Sequence, residues 1–154
     1  MIITGISGGL GNQMFQYATG RAVALQKRIP LKLDISGYAD DKFGRHYSLD
    51  VFNIRAEIAQ PFEVDRLKPH WNFITKKSPK IQYLIRRFSK TYVNESISKG
   101  KIPLDDNLYL DGYWQDEIYF RDIKEVLYRD FTLKKRLGYK DGPEVRSVAH
   151  NLRR

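Results

Sequence analysis

The chain has 154 residues, enough for one domain and too few for two large ones. With 42% hydrophobic and 29% charged residues it has a globular rather than a disordered balance, and the absence of Cys excludes a disulfide framework, thiolate chemistry and a Cys-ligated zinc site. The net charge of +9 is uneven: residues 76–101 hold eight basic residues and one acidic residue, Glu95, whereas 1–75 carry only +2 and 102–154 are neutral. That distribution argues against the even basic coat of a nucleic-acid-binding domain.

Ile2, Ile3 and Ile6, bounded by Gly5 and Ser7, predict a short buried strand over 1–6. A Gly-rich turn, Ser7-Gly8-Gly9-Leu10-Gly11-Asn12-Gln13, follows. A helix is predicted from 12 to about 28, with Asn12 as N-cap and Phe15, Ala18, Ala22 and Leu25 on one face. Pro30 ends it. Leu31, Leu33 and Ile35 alternate with polar residues and predict a second strand ending near Asp34. Strand, turn, helix and strand make a βαβ unit and imply a parallel sheet.

Residues 36–50 read as a loop, and 56–68 as weakly helical with Pro61 near the start. Over 79–90, Ile81, Leu84, Ile85 and Phe88 form an apolar stripe opposite Lys80, Arg86, Arg87 and Lys90. Residues 107–111 read as a third strand. A helix over about 116–130 follows, its inner face holding Tyr119, Ile123, Val126 and Leu127. The pattern fades beyond Lys134. There is no internal repeat.

A strand that feeds a Gly-rich turn and a helix start is an anion site, because unpaired N–H groups and the helix dipole both favour negative charge. Gly11 is not followed by the Lys and Ser/Thr of a P-loop. Gly9 and Gly11 match two glycines of the dinucleotide fingerprint, Met14 replaces the third, and Asp34 sits near the acidic offset. A nucleotide-dependent oxidoreductase therefore stays open, as does a turn whose glycines only permit tight geometry. Gln13 is expected to hydrogen-bond locally, and Phe15 and Tyr17 to pack in the core.

The segment 7–18, with Gly20-Arg21-Ala22, resembles the N-terminal signature of the α-1,2-fucosyltransferases of glycosyltransferase family 11. Pro30-Leu31-Lys32-Leu33-Asp34, Leu110-Asp111-Gly112-Tyr113-Trp114-Gln115 with Tyr119-Phe120, and Asp130-Phe131-Thr132 agree with that family in order and spacing. The resemblance implies an α/β fold, a Rossmann-like parallel sheet forming the N-terminal half of a GT-B-type enzyme. In it, residues 1–135 would be the acceptor-side domain, with a basic helical insert near 76–101. Residues 136–154 would be an irregular tail or the start of a truncated C-terminal domain.

The implied activity is inverting transfer of L-fucose from GDP-fucose to the 2-hydroxyl of a galactose in a glycan, lipid-linked glycans included. Gly9, Gly11 and Asn12 would approach the donor. Asp111, Tyr113, Trp114 and Gln115 would face the acceptor at the carboxyl end of a strand. For Trp114 the alternative is packing between helix and sheet, and for Asp111 it is capping the next turn. No general base and no cofactor or metal is implied. There is no Asp-x-Asp motif, His46, His70 and His150 lack metal-ligand spacing, and Asp40-Asp41 and Asp105-Asp106 read as loop doublets.

The family's His-x-Arg-Arg-x-Asp motif is only echoed at His150, Arg153 and Arg154. The chain therefore reads as a fragment, inactive alone, and the alternative function is a truncated sugar- or nucleotide-binding domain. No apolar run approaches the roughly 20 residues that span a bilayer, and the first residues lack the charged region of a secretion signal. The expectation is a cytoplasmic protein, or one on the cytoplasmic face of the membrane. The basic stretch 76–101 suits either an anionic membrane surface or a solvated helix whose stripe packs on the domain.

Overall fold

The computed structural model describes residues 1–39, 41–69, 78–98, 101–103 and 105–134. Asp40, His70, and the tail with His150, Arg153 and Arg154 lie outside the described residues, as does every reading placed on them. The strands are β1 (Ile2–Gly5), β2 (Leu31–Asp34), β3 (Glu57–Ile58), β4 (Tyr92–Asn94) and β5 (Leu108–Asp111). All pair in parallel, in the order β3-β2-β1-β5-β4. The helices are α1 (Leu10–Lys27), α2 (Pro61–Leu67), α3 (Pro79–Phe88), α4 (Glu95–Ser98) and α5 (Lys124–Asp130). The arrangement is α/β and Rossmann-like.

The pleat sorts the strands into two faces. Ile2, Leu31, Leu33, Val93, Leu108 and Leu110 meet α1, Leu49, Trp114 and Leu127 in the larger core. On the other face Ile3, Tyr92 and Tyr109 meet Val64 and Leu67 of α2. A Cβ at Gly20 would collide with Thr4 Oγ1 and lie 2.9 Å from Leu31 Cδ1, so this glycine sets how closely α1 approaches the sheet. Asp130, only 4% exposed, ties α5 back to α1: it accepts from Tyr17 OH at 2.6 Å and from Arg21 Nε at 2.9 Å. Arg21 and Asp130 belong to segments far apart in sequence, and their pairing accounts for both residue types.

Several sequence expectations change. Helix α1 begins at Leu10 rather than Asn12, with Gly9 as N-cap and no side-chain cap bond. Its buried face is Gln13, Gln16, Tyr17, Ala18, Thr19, Gly20, Val23 and Ala24, so of the predicted stripe only Ala18 is buried. Phe15 is half-buried, against Phe120. The helix ends at an Arg28 cap with φ 56°, before Pro30. The long helix expected over 116–130 is two short 3-10 turns, Glu117–Tyr119 and Arg121–Ile123, before α5. The strands β3 and β4 were not legible. β3 is two exposed residues, and β4 is three residues within the basic stretch. The described residues of 76–101 hold the helices α3 and α4 together with the edge strand β4.

Candidate functional site

The Gly turn leaves the carboxyl end of β1, where β2 lies on one side and β5 on the other. That is the crevice position of open α/β sheets. Gly8 has φ 76°, and a Cβ there would lie 2.7 Å from Asn12 Nδ2, so the turn needs glycine at this position. Gly9 and Gly11 differ. Gly9 is extended, with φ −77° and ψ 172°, and Gly11 lies in the first turn of α1. A Cβ at either would meet nothing within 4 Å. Glycine there leaves backbone accessible rather than permitting a conformation. The first helical bond is from Gln13 N to Gly9 O, so the amides of the first turn point outward without an intrahelical acceptor.

Two buried glutamines hold loops on both sides of this turn. Gln13 Nε2 donates to Gly8 O at 3.1 Å and to His46 O at 2.9 Å, while its Oε1 accepts from Ser48 N at 2.8 Å. The expectation of a local bond is thus too narrow, since Gln13 reaches 35 residues along the chain. Gln16 accepts from Ser7 N at 2.9 Å and donates to Gly112 O at 3.1 Å. Tyr38 OH donates to Gly8 O at 3.0 Å. Burial and the nearby Asp41 push the Tyr38 hydroxyl up to about 12, which keeps it a neutral donor. Both glutamines lie inside the segment 7–18. The readable signal was amide side chains three apart on a helix face that must be covered.

The segment after β5 is held by Glu95. Its Oε2 accepts from Tyr113 N at 2.8 Å and Trp114 N at 2.9 Å. A Cβ at Gly112 would lie 2.5 Å from Glu95 Cβ. Trp114 takes φ 55° and is fully buried, edge-on to Tyr119 at 5.2 Å. It therefore offers no ring face on which a sugar could stack, and packing is what the structure shows. Tyr113 stays 45% exposed. Gln115 Nε2 donates to Asn12 Oδ1 at 2.7 Å, so a donor-side and an acceptor-side residue of the sequence reading meet directly.

Asp111 faces the opposite side of the sheet. It accepts from Asn94 Nδ2 at 2.8 Å and from Tyr92 OH, and it is Glu95, not Asp111, that holds the following turn. Beside it, Tyr109 OH donates to Asp34 Oδ2 at 2.7 Å, and Lys68 Nζ lies 3.5 Å from the same oxygen. Burial pushes the Asp34 carboxyl up, but hydrogen bonds from Ser36 and Tyr109 and the Lys68 charge outweigh it and hold the carboxyl below its ordinary value. Burial and Asp34 raise the Tyr109 hydroxyl. Asp34, the acidic residue of the fingerprint reading, is thus committed to protein partners. Among the described residues no three of His, Asp and Glu gather as a metal site.

Over 135 residues the chain is 33% identical to an alpha-1,2-colitosyltransferase of Escherichia coli. The match covers 86% of the chain and 45% of that protein, so the chain spans about half the length of the relative it matches. No family model matches, and no solved structure matches.

Proposed function

We propose that the chain is the acceptor-side, N-terminal half of a GT-B-type glycosyltransferase. The reaction proposed is transfer of L-fucose from GDP-fucose to the 2-hydroxyl of a galactose in a glycan, with inversion. The observation that carries this reading is the open pair Gly9 and Gly11 at the uncapped start of an 18-residue helix. Departure of GDP develops charge on phosphate oxygens, and outward amides on a helix dipole are preorganised to receive it. Asn12 and Gln115 put neutral amides beside those N–H groups, suited to sugar hydroxyls. Tyr113 is exposed at the same loop for the acceptor.

Similarity to an alpha-1,2-colitosyltransferase supports the reaction class and the linkage. Colitose is L-fucose without its 3-hydroxyl, so the choice between donors rests on groups near carbon 3 of the sugar. The reading uses no metal. No residue of 1–134 is assigned as general base, and the chain by itself is expected to show no measurable transfer.

Thermal unfolding with GDP or NAD tests the reading. GDP at about ten times its Kd stabilises by roughly 1.4 kcal/mol, a shift of a few degrees, while NAD gives none. Gly11→Asp sets a carboxylate among the amides. It suits the helix start, so the melting temperature without ligand holds while the GDP shift disappears. Stabilisation by NAD and not by GDP would overturn the proposal in favour of the oxidoreductase reading.

A further inference from the structure

Among the described residues, only Ile85 of the four apolar stripe residues of α3 turns toward the domain. Gln82, Ile85 and Ser89 turn toward the domain, while Ile81, Leu84 and Phe88 lie on the outward half, with Leu84 51% and Phe88 77% exposed. Packing of this stripe on the domain, one of the two sequence expectations, holds among the described residues for Ile85 and not for Ile81, Leu84 and Phe88. At 100° per residue, Ile81, Leu84 and Phe88 fall within a sector about 60° wide. Lys80 and Arg87 occupy the adjoining outward sector together with Tyr83, Lys90 follows just beyond the extended cap Ser89, and all four are exposed. None of these three basic residues forms an ion pair with a described residue.

The one acidic residue of 76–101 does not offset this charge at the surface. Glu95 turns its carboxylate onto the amides of Tyr113 and Trp114. The stripe also continues at Phe88 into a shallow groove of about 530 Å³ between α2 and α3, lined by Asp65, Arg66, Lys68, Ile85, Phe88 and others. No helix among the described residues is long and apolar enough to cross a membrane.

We propose that α3 is a peripheral docking surface for an anionic lipid bilayer. Ile81, Leu84 and Phe88 enter the headgroup–acyl boundary, and Lys80, Arg87 and Lys90 meet the lipid phosphates. The charge selects this occupant. An apolar protein partner would bury the stripe without needing three unpaired cations along its edge, whereas an interfacial helix combines an apolar face with flanking lysine and arginine. Anionic lipid attracts such residues cumulatively.

Vesicle flotation of the whole 154-residue chain tests this, with phosphatidylglycerol–phosphatidylcholine vesicles against phosphatidylcholine alone. At low salt the chain should float with the anionic vesicles only, and high salt should release it. Leu84→Ser with Phe88→Ser, and separately Lys80→Glu with Arg87→Glu, should each lower partitioning by about tenfold or more. Lys124→Glu with Lys134→Glu makes the same change in net charge elsewhere on the surface and should leave most binding intact.

Circular dichroism checks that each variant keeps its fold. No flotation of the unaltered chain with anionic vesicles overturns the proposal. So does equal flotation of all variants, which would mean binding by net charge alone. A chain that dimerises through α3, becomes monomeric in the Leu84→Ser/Phe88→Ser variant and never floats would assign the face to a second copy and also overturn it.

Discussion

Helices α1 and α3 invert each other. Helix α1 has a weak apolar pattern, yet it is sunk against the sheet, with two glutamines, a threonine and a glycine on its buried face. Helix α3 has the clearest apolar stripe in the sequence, yet it carries Ile81, Leu84 and Phe88 of that stripe outward. Their starts are inverted as well. Ser78 caps α3 by accepting from Ile81 N, with Pro79 in the first turn, whereas α1 starts on Gly9 with no side-chain cap. A closed start satisfies the helix by itself, and an open one leaves N–H groups for something else. Amphipathic pattern announces a helix, but it does not say whether the covering partner lies within the chain.

If α1 is held by specific polar bonds, removing them must cost far more than altering α3. The largest effect is expected at the clamp between α1 and α5. Asp130→Ala leaves Tyr17 and Arg21 without their shared carboxylate and should destabilise by about 3 kcal/mol or more, read from the urea midpoint. Next comes Gln16→Leu, which orphans Ser7 N and Gly112 O. A loss of about 1–3 kcal/mol is expected, with faster hydrogen exchange at the Ser7 amide.

The smallest effect belongs to α3. Leu84→Ser with Phe88→Ser should stay within about 0.5 kcal/mol per substitution, because both side chains are more than half exposed. A loss of several kcal/mol there would mean that the stripe is covered within the chain, and the contrast would fail.

What the sequence disclosed follows the range of the interactions involved. The βαβ unit was readable because each signal is local: Ile2 and Ile3 beside Gly5, a glycine turn, Pro30 as a stop, and alternation at Leu31 and Leu33. β5 was readable for the same reason. The short edge strands β3 and β4 exist through pairing with Lys32, Leu33 and Tyr109–Asp111, and carry little pattern of their own. In the candidate site, Gly9, Gly11, Asn12 and Gln115 were singled out from the sequence, and the structure brings Asn12 to Gln115. The reach of the supports was not legible, Gln13 being expected to bond only locally. Gln13, Gln16 and Glu95 act over separations of 35, 96 and 19 residues. Trp114 changed role because the Glu95 tether and a positive φ turn its ring inward.

The most direct measurement is a GDP titration of the isotope-labelled chain followed by amide NMR. The account predicts saturable shifts at the amides of Gly9, Leu10, Gly11 and Asn12 and at the side-chain amide of Gln115, with α3 unmoved. Saturable shifts elsewhere with residues 9–12 silent, or no shift at millimolar GDP, would contradict the claim that the open start of α1 receives the nucleotide phosphates.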